Sequence, residues 1–253
     1  NGLAVGPDGA LYCCNGGGTR FRDRAGITEP FGASEDWSGG RIERISPATG
    51  RVERLHQSCE GRPLSSPNDL VFDSTGGFWF TDLGKVRGRQ RDLGGVHHAR
   101  TDGGAIAEAI FPLEAPNGIG LLPGEAALVV AETVTARLWR FDVPSPGVAR
   151  VADDRWAKGT LLAGLAGLAG FDSLAVQADG AVCVATLVKG GITRAHQDGR
   201  VEHIALPVHD PYTTNLCFHG RTAFITLGSR GLLLRAEWDA PGLPLPFADR
   251  ITL

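Results

Sequence analysis

The chain has 253 residues, a formal charge of -3, 36 glycines and 15 prolines. With few helix-favouring runs, that composition points to a turn-rich all-β protein in one domain over residues 1–253 and speaks against an α/β one. The charge balance shows no Lys/Arg cluster of the kind that displaces counterions from nucleic acid or anionic lipid, so neither is an expected partner and a small solute is.

One phrase recurs along the chain: an Asn or Asp, a short apolar strand, a Gly-centred turn and a second apolar strand. The first copy, NGLAVGPDGALYCCN, opens at Asn1, and after a long insertion comes a second strand pair, GGRIERISPATGRVERL. The later copies open at Asn68 (NDLVFDSTGGFWFTD), Asn117 (NGIGLLPGEAALVVAE), Asp172 (DSLAVQADGAVCVAT) and Asn215 (NLCFHGRTAFITL). The pairs that follow them are GGVHHARTDGGAIAEAI, ARLWRFDVPSPGVARV, GGITRAHQDGRVEHIAL and GLLLRAEWDAPGLPLPF. Opening residues stand 67, 49, 55 and 43 apart, near the ~40 to 50 residues of a propeller blade. Four strands per repeat predict a β-propeller with almost no helix.

In that architecture the first strand of each blade lines the central channel, so the opening oxygens gather at one mouth. The ends of the second strands return there, which brings Asn15, Asp82, Glu132, Thr186 and Ser229 to the same mouth. The insertion from Gly16 to Ser38 is longer than a hairpin needs and is expected to be a lid or binding loop, with Arg22, Arg24 and Glu29 in it. His97 and His98 fall within a third strand and are expected to pack or face solvent, whereas His209, just before the fifth copy, comes nearer the channel.

Five cysteines lie mainly in apolar strand patterns. Cys13 and Cys14 are neighbours in one strand and point to opposite faces, so buried free thiols are expected. No segment reaches the ~18 apolar residues of a membrane span. The chain starts in mid-phrase and holds no Met, so further residues upstream of Asn1 are expected, and a cytoplasmic location.

Oxygen-bearing side chains converging on a channel mouth suit a hard divalent cation. Asn117 and Asp172 open successive blades and could supply an amide and a carboxylate oxygen. Asn68 stands on the preceding blade, with Asp69 beside it. An Asn or Asp that merely caps a turn is the competing reading for any single copy.

The segments SSPNDLVFDSTGGFWFTDLGK, APNGIGLLPGEAALVVAETVTARLWRFDV and GFDSLAVQADGAVCVAT resemble the senescence marker protein 30/gluconolactonase family, including its luciferin-regenerating-enzyme relatives. The resemblance covers essentially the whole chain. It implies a six-bladed propeller with one divalent cation in the channel and hydrolysis of sugar lactones. Carried over by motif, it implies metal ligation by Asn117 and Asp172, an acid/base role for Asp172, substrate contact by Asn68, and proton transfer by Asp69. The family's remaining ligand, a Glu in an EGP-type segment opening the first blade, has no counterpart here. Five copies against six blades therefore lead to the expectation of a missing first blade of ~40 to 50 residues upstream of Asn1.

The reading is a metal-dependent lactone hydrolase in which Asp172 or Asp69 activates water and Asn68, Asp82 and Glu132 contact substrate. Ca²⁺ is the expected cation, with Zn²⁺, Mn²⁺, Mg²⁺ or Fe²⁺ also compatible with oxygen ligands. Two alternatives stay open: a phosphotriesterase or other esterase on the same scaffold, and a non-catalytic metal-binding propeller.

Overall fold

A computed structural model describes residues 1–251. Five antiparallel sheets follow one another along the chain, four of four strands and the last of three, and a single 3₁₀ turn at Pro123–Glu125 is the one helical element among the described residues. Each sheet is a propeller blade. The inner strands are Leu3–Val5, Pro67–Phe72, Pro116–Leu121, Gly170–Val176 and Thr213–His219 for blades 1 to 5. They pack in succession around the channel.

The second strands bury both faces because a blade presses on each side of them. Gly77–Asp82, Ala127–Glu132 and Val182–Leu187 read as almost unbroken apolar runs and are almost wholly buried. Four clusters of buried side chains fill the spaces between successive blades, centred on Phe78 and Phe80, on Trp79 and Val130, on Val129 and Phe171, and on Cys183 and Ile225. Tyr12, Phe72 and Phe78 stack edge-on or tilted at centroid distances of 5.1 to 5.7 Å; such pairs add about 0.5 to 1.5 kcal/mol each beyond the area they bury.

No such cluster joins blade 5 to blade 1 among the described residues. The facing sides of those two blades carry apolar groups in the open, with Leu3 58%, Val52 54% and Leu233 66% exposed. This also corrects the expectation of uniformly buried thiols. Cys14, Cys59 and Cys183 are buried, whereas Cys13 is half-buried and Cys217 exposed, because both lie on these uncovered faces.

The fifth repeat departs from the pattern in a second way. Its sequence promises a fourth strand after Leu232–Glu237, but no strand forms there. Pro241, Pro244 and Pro246 lack the N–H groups that a ladder requires. The segment instead crosses the end of the channel opposite the Asn/Asp mouth. Leu243 N donates to Val176 O at 2.8 Å and Ala178 N to Pro241 O at 2.9 Å. Farther on, Phe247 packs edge-on against Phe72 and Arg250 Nη1 donates to Pro7 O. One strap thereby ties blades 5 and 4 to blades 1 and 2.

The long insertion is also more regular than a loop. It forms a hairpin, Thr19–Arg24 with Ile27–Ala33. A shorter hairpin, Val86–Arg87 with Gln90–Arg91, rises from the same mouth after Asp82 and packs against it.

Candidate active site

At the channel mouth the five repeats stop being equivalent. In blade 2, Leu70 pairs with Phe80 and Pro67 with Asp82, so Asn68 and Asp69 together oppose the single residue Thr81. Blade 3 repeats this with Asn117 and Gly118 opposite Ala131, and blade 4 with Asp172 and Ser173 opposite Ala185. These are β-bulges, which add a residue, kink the strand and re-aim side chains. In blade 5 the irregularity falls at Thr214, one residue earlier than Asn215, and blade 1 pairs without interruption. Blades 2, 3 and 4 alone place an Asn or Asp at the bulge.

The bulged strands approach one another closely. A Cβ on Gly118 would lie 2.6 Å from Leu174 N and 2.8 Å from Asp172 O, a spacing that only glycine permits. Thr81, opposite the blade 2 bulge, accepts a hydrogen bond from Asp69 N at 3.1 Å and donates to Asn117 O at 2.6 Å. Blades 2 and 3 are thus joined at the level of the site.

Asn117 is buried, and its Nδ2 donates to Thr133 Oγ1 at 3.0 Å. That contact fixes the amide and leaves Oδ1 buried with no hydrogen-bond partner. A buried acceptor left unmade costs about 1 to 3 kcal/mol unless something satisfies it. Beside it, burial pushes the Asp172 carboxyl up to about 7, with the Asn117 amide opposing the rise and the negative charge of Asp69 adding to it. Burial likewise pushes Asp69 up to about 6, against hydrogen bonds from Leu70 N, the Ser173 hydroxyl and Ile119 N and the nearby N-terminal ammonium. Two carboxyls and an orphaned amide oxygen form an all-oxygen donor set of the kind that suits a hard cation. No group of three or more His, Cys, Asp or Glu able to hold an ion occurs among the described residues, so Asn117 and Asp172 would share such an ion with water or other oxygen donors.

Asn68 is buried at the same level, and its side-chain amide makes no hydrogen bond among the described residues. Asp82 and Glu132 do reach the mouth, where neighbouring backbone N–H and hydroxyl groups engage their carboxylates. Asp82 accepts backbone N–H bonds from Ser65 at 2.7 Å, Ser66 at 2.6 Å and Gly84 at 3.2 Å. Glu132 accepts from Glu114 N at 2.7 Å and from the Thr135 hydroxyl. Both cap loops, a use of their oxygens that competes with the substrate contact expected of them. His97 is stacked on Phe80 at 5.0 Å, and His98 Nε2 meets Asp73 at 2.9 Å, both away from the mouth. Thr81, Thr133 and Ser173, which orient the site, carry no signal in the sequence, because a lone hydroxyl inside an apolar strand looks like any other.

A sequence model of the SMP-30/gluconolactonase/LRE-like region matches residues 1–229. The chain belongs to this family. Among relatives, it is 26% identical over 251 residues to a gluconolactonase of Zymomonas mobilis, a match covering 94% of this chain and 63% of that protein. It is 34% identical over 148 residues to lactonase drp35 of Staphylococcus epidermidis, covering 58% of this chain and 38% of that one. The chain thus spans less than two thirds of the length of these two relatives. Two solved structures share its fold: a gluconolactonase from Xanthomonas campestris (TM-score 0.68, 22% identity, covering 96% of this chain and 72% of that one) and the calcium-binding protein regucalcin from Agrobacterium tumefaciens (TM-score 0.67, 19% identity, 98% and 92%). No helix among the described residues is long and apolar enough to cross a membrane.

Proposed function

We propose that this family member hydrolyses small lactones with the help of one divalent cation, held by Asn117 Oδ1 and the Asp172 carboxylate. The observation that carries the reading is the buried Asp69–Asp172 pair beside an amide oxygen without a partner, delivered to one mouth by three matched bulges. The names of the relatives supply the substrate class. That regucalcin is a calcium-binding protein supports Ca²⁺ among the cations that an oxygen set accepts.

When bound, the cation supplies Lewis-acid polarisation of the ring-ester carbonyl. The protein's own groups do the rest. Asn68, fixed at the bulge with a free amide, orients the lactone. Asp69 is the base: a carboxyl held at about 6 is close to the operating pH, where a general base works best. It takes a proton from water as the water oxygen bonds to the carbonyl carbon. The ring C–O bond then breaks, and the proton returns from Asp69 to the departing alkoxide. Asp172, committed to the cation, is the weaker base of the two.

We further propose that the blades complete one propeller domain with a sixth sheet seated between the open faces of blades 5 and 1. The exposed Leu3, Val52 and Leu233 support it. Such a sheet would open at the same mouth and could add an anionic ligand.

The test is hydrolysis of γ- and δ-lactones alongside phosphotriesters, with and without chelator. Lactone turnover lost on chelation and restored by a divalent cation, and absent in Asp172→Ala, is the expected result. Full metal-dependent activity in Asp172→Ala, or turnover of phosphotriesters alone, overturns the assignment.

A further inference from the structure

We infer that the lactone taken by this site carries a second, anionic group, a carboxylate or phosphate remote from the ring ester, which Lys85 receives at the base of the two mouth hairpins. The inference rests on the lactonase reading above. Lys85 is 7% exposed in the loop that leaves the mouth after Asp82. Its ammonium donates to one group, Thr19 Oγ1 at 3.3 Å at the base of the long hairpin, and no carboxylate lies within ion-pair distance of it among the described residues. The nearest candidate, Asp82, has its oxygens occupied by the N–H groups of Ser65, Ser66 and Gly84. Burial lowers the affinity of Lys85 for its proton, and the like charge of Arg87 lowers it further, against the pull of Asp82. A buried ammonium with three donors and one hydroxyl partner is costly to keep. An arriving anion offsets that cost.

Lys85 is not isolated. Arg20, Arg22 and Arg24 lie on the long hairpin, and Arg87, Arg89 and Arg91 on or between the strands of the short one. Arg22 is spent on Glu29, Arg87 on Asp92 and Arg91 on Glu114. Arg20, Arg24 and Arg89 have no ion-pair partner among the described residues. Glu35 and Asp36, which follow the long hairpin, are exposed on its shoulder. Glu29 also accepts from Tyr212 Oη at 3.0 Å, so the hairpin is anchored on the mouth side of blade 5 as well as beside blade 2. Arginines and carboxylates alternate on the long hairpin and its shoulder, with Asp23, Glu29, Glu35 and Asp36 among the latter, so what sets this part of the mouth apart is the buried Lys85.

The experiment compares glucono-1,5-lactone with its 6-phosphate and with glucaro-1,5-lactone, three substrates that share a ring and differ at the remote carbon. Wild type, Lys85→Met and Lys85→Gln are each assayed, with calorimetric binding of gluconate, 6-phosphogluconate and glucarate and a thermal melt for each. Loss of a charge-assisted hydrogen bond predicts a fall in kcat/KM for the charged lactones of roughly 10- to 100-fold, mainly through KM. Neutral lactone turnover changes little, the melting midpoint holds or rises, and the charged products lose binding in parallel. The phosphate and the carboxylate arms tell the two anions apart. Equal loss on all three lactones, a lowered midpoint, or no wild-type preference for a charged lactone overturns the inference while leaving lactonase activity standing. If no lactone is hydrolysed yet the charged products bind in a Lys85-dependent way, the lactonase reading fails and the anion site holds.

Discussion

Replacing Asp172 by Asn separates the electrostatics of the mouth from its chemistry, because the shapes match and only the charge goes. In the metal-free protein the Asp172 carboxyl is held at about 7 against an ordinary 3.8, about three units. At ~1.36 kcal/mol per unit that is roughly 4 kcal/mol as an upper figure, and about 2 to 4 after allowance for the partial opening of the residue to the channel. The sign follows from which state holds the proton. Between pH 4 and 7 the folded protein binds a proton at Asp172 that the unfolded chain has released, so wild-type stability falls as pH rises through that window. Asp172→Asn has no such proton, and its amide can both donate to and accept from Asn117. In urea unfolding with chelator present, followed by Trp fluorescence, the variant should match wild type at pH 4 and exceed it by about 2 to 4 kcal/mol at pH 8. A saturating divalent cation should reverse the order at pH 8, since it stabilises only the wild type. A pH-independent gap, or a wild type more stable than the variant at pH 8 in chelator, would refute the placement of a buried, uncompensated carboxylate at 172.

Gly118→Ala should push blades 3 and 4 apart at the bulge, lowering stability by about 1 to 3 kcal/mol and weakening metal affinity; an unchanged urea midpoint would contradict the close approach to Leu174 N. Asp82→Asn should cost about 1 to 3 kcal/mol of stability through the lost loop cap with KM for lactones unaltered, and a large KM change with intact stability would show a substrate role in place of the cap. Cys217 should react with a thiol reagent in the native state ahead of Cys14 and Cys183, both of which burial makes poor thiolates, Cys183 being pushed up to about 12. In a protein with blade 5 covered by a further sheet, that first reactive thiol should become protected, and equal labelling in both forms would count against a sixth blade at this position.

Much of the fold was legible because its signals are local. Alternating apolar residues, Gly-centred turns and a recurring opening Asn or Asp are enough to mark strands, blades and the mouth to which the oxygens come. The fifth blade shows the limit of such reading. Its last segment has the right length and turn for a strand, yet three prolines and the open end of the channel send it across to Val176 and Phe72. Asp82 and Glu132 show another limit. Position at the mouth follows from topology, but the direction of a carboxylate follows from which backbone N–H groups surround it.

By itself the sequence determined the all-β repeat, the family, and the candidacy of Asn68, Asp69, Asn117 and Asp172, since each rests on residue type and spacing. Only the tertiary structure decided which repeats are special. Bulge register depends on how two strands pair, and no pattern within one strand records it. The tertiary structure likewise buried Lys85 against Thr19 at the base of the long hairpin, because proximity between distant segments is a property of packing and not of composition.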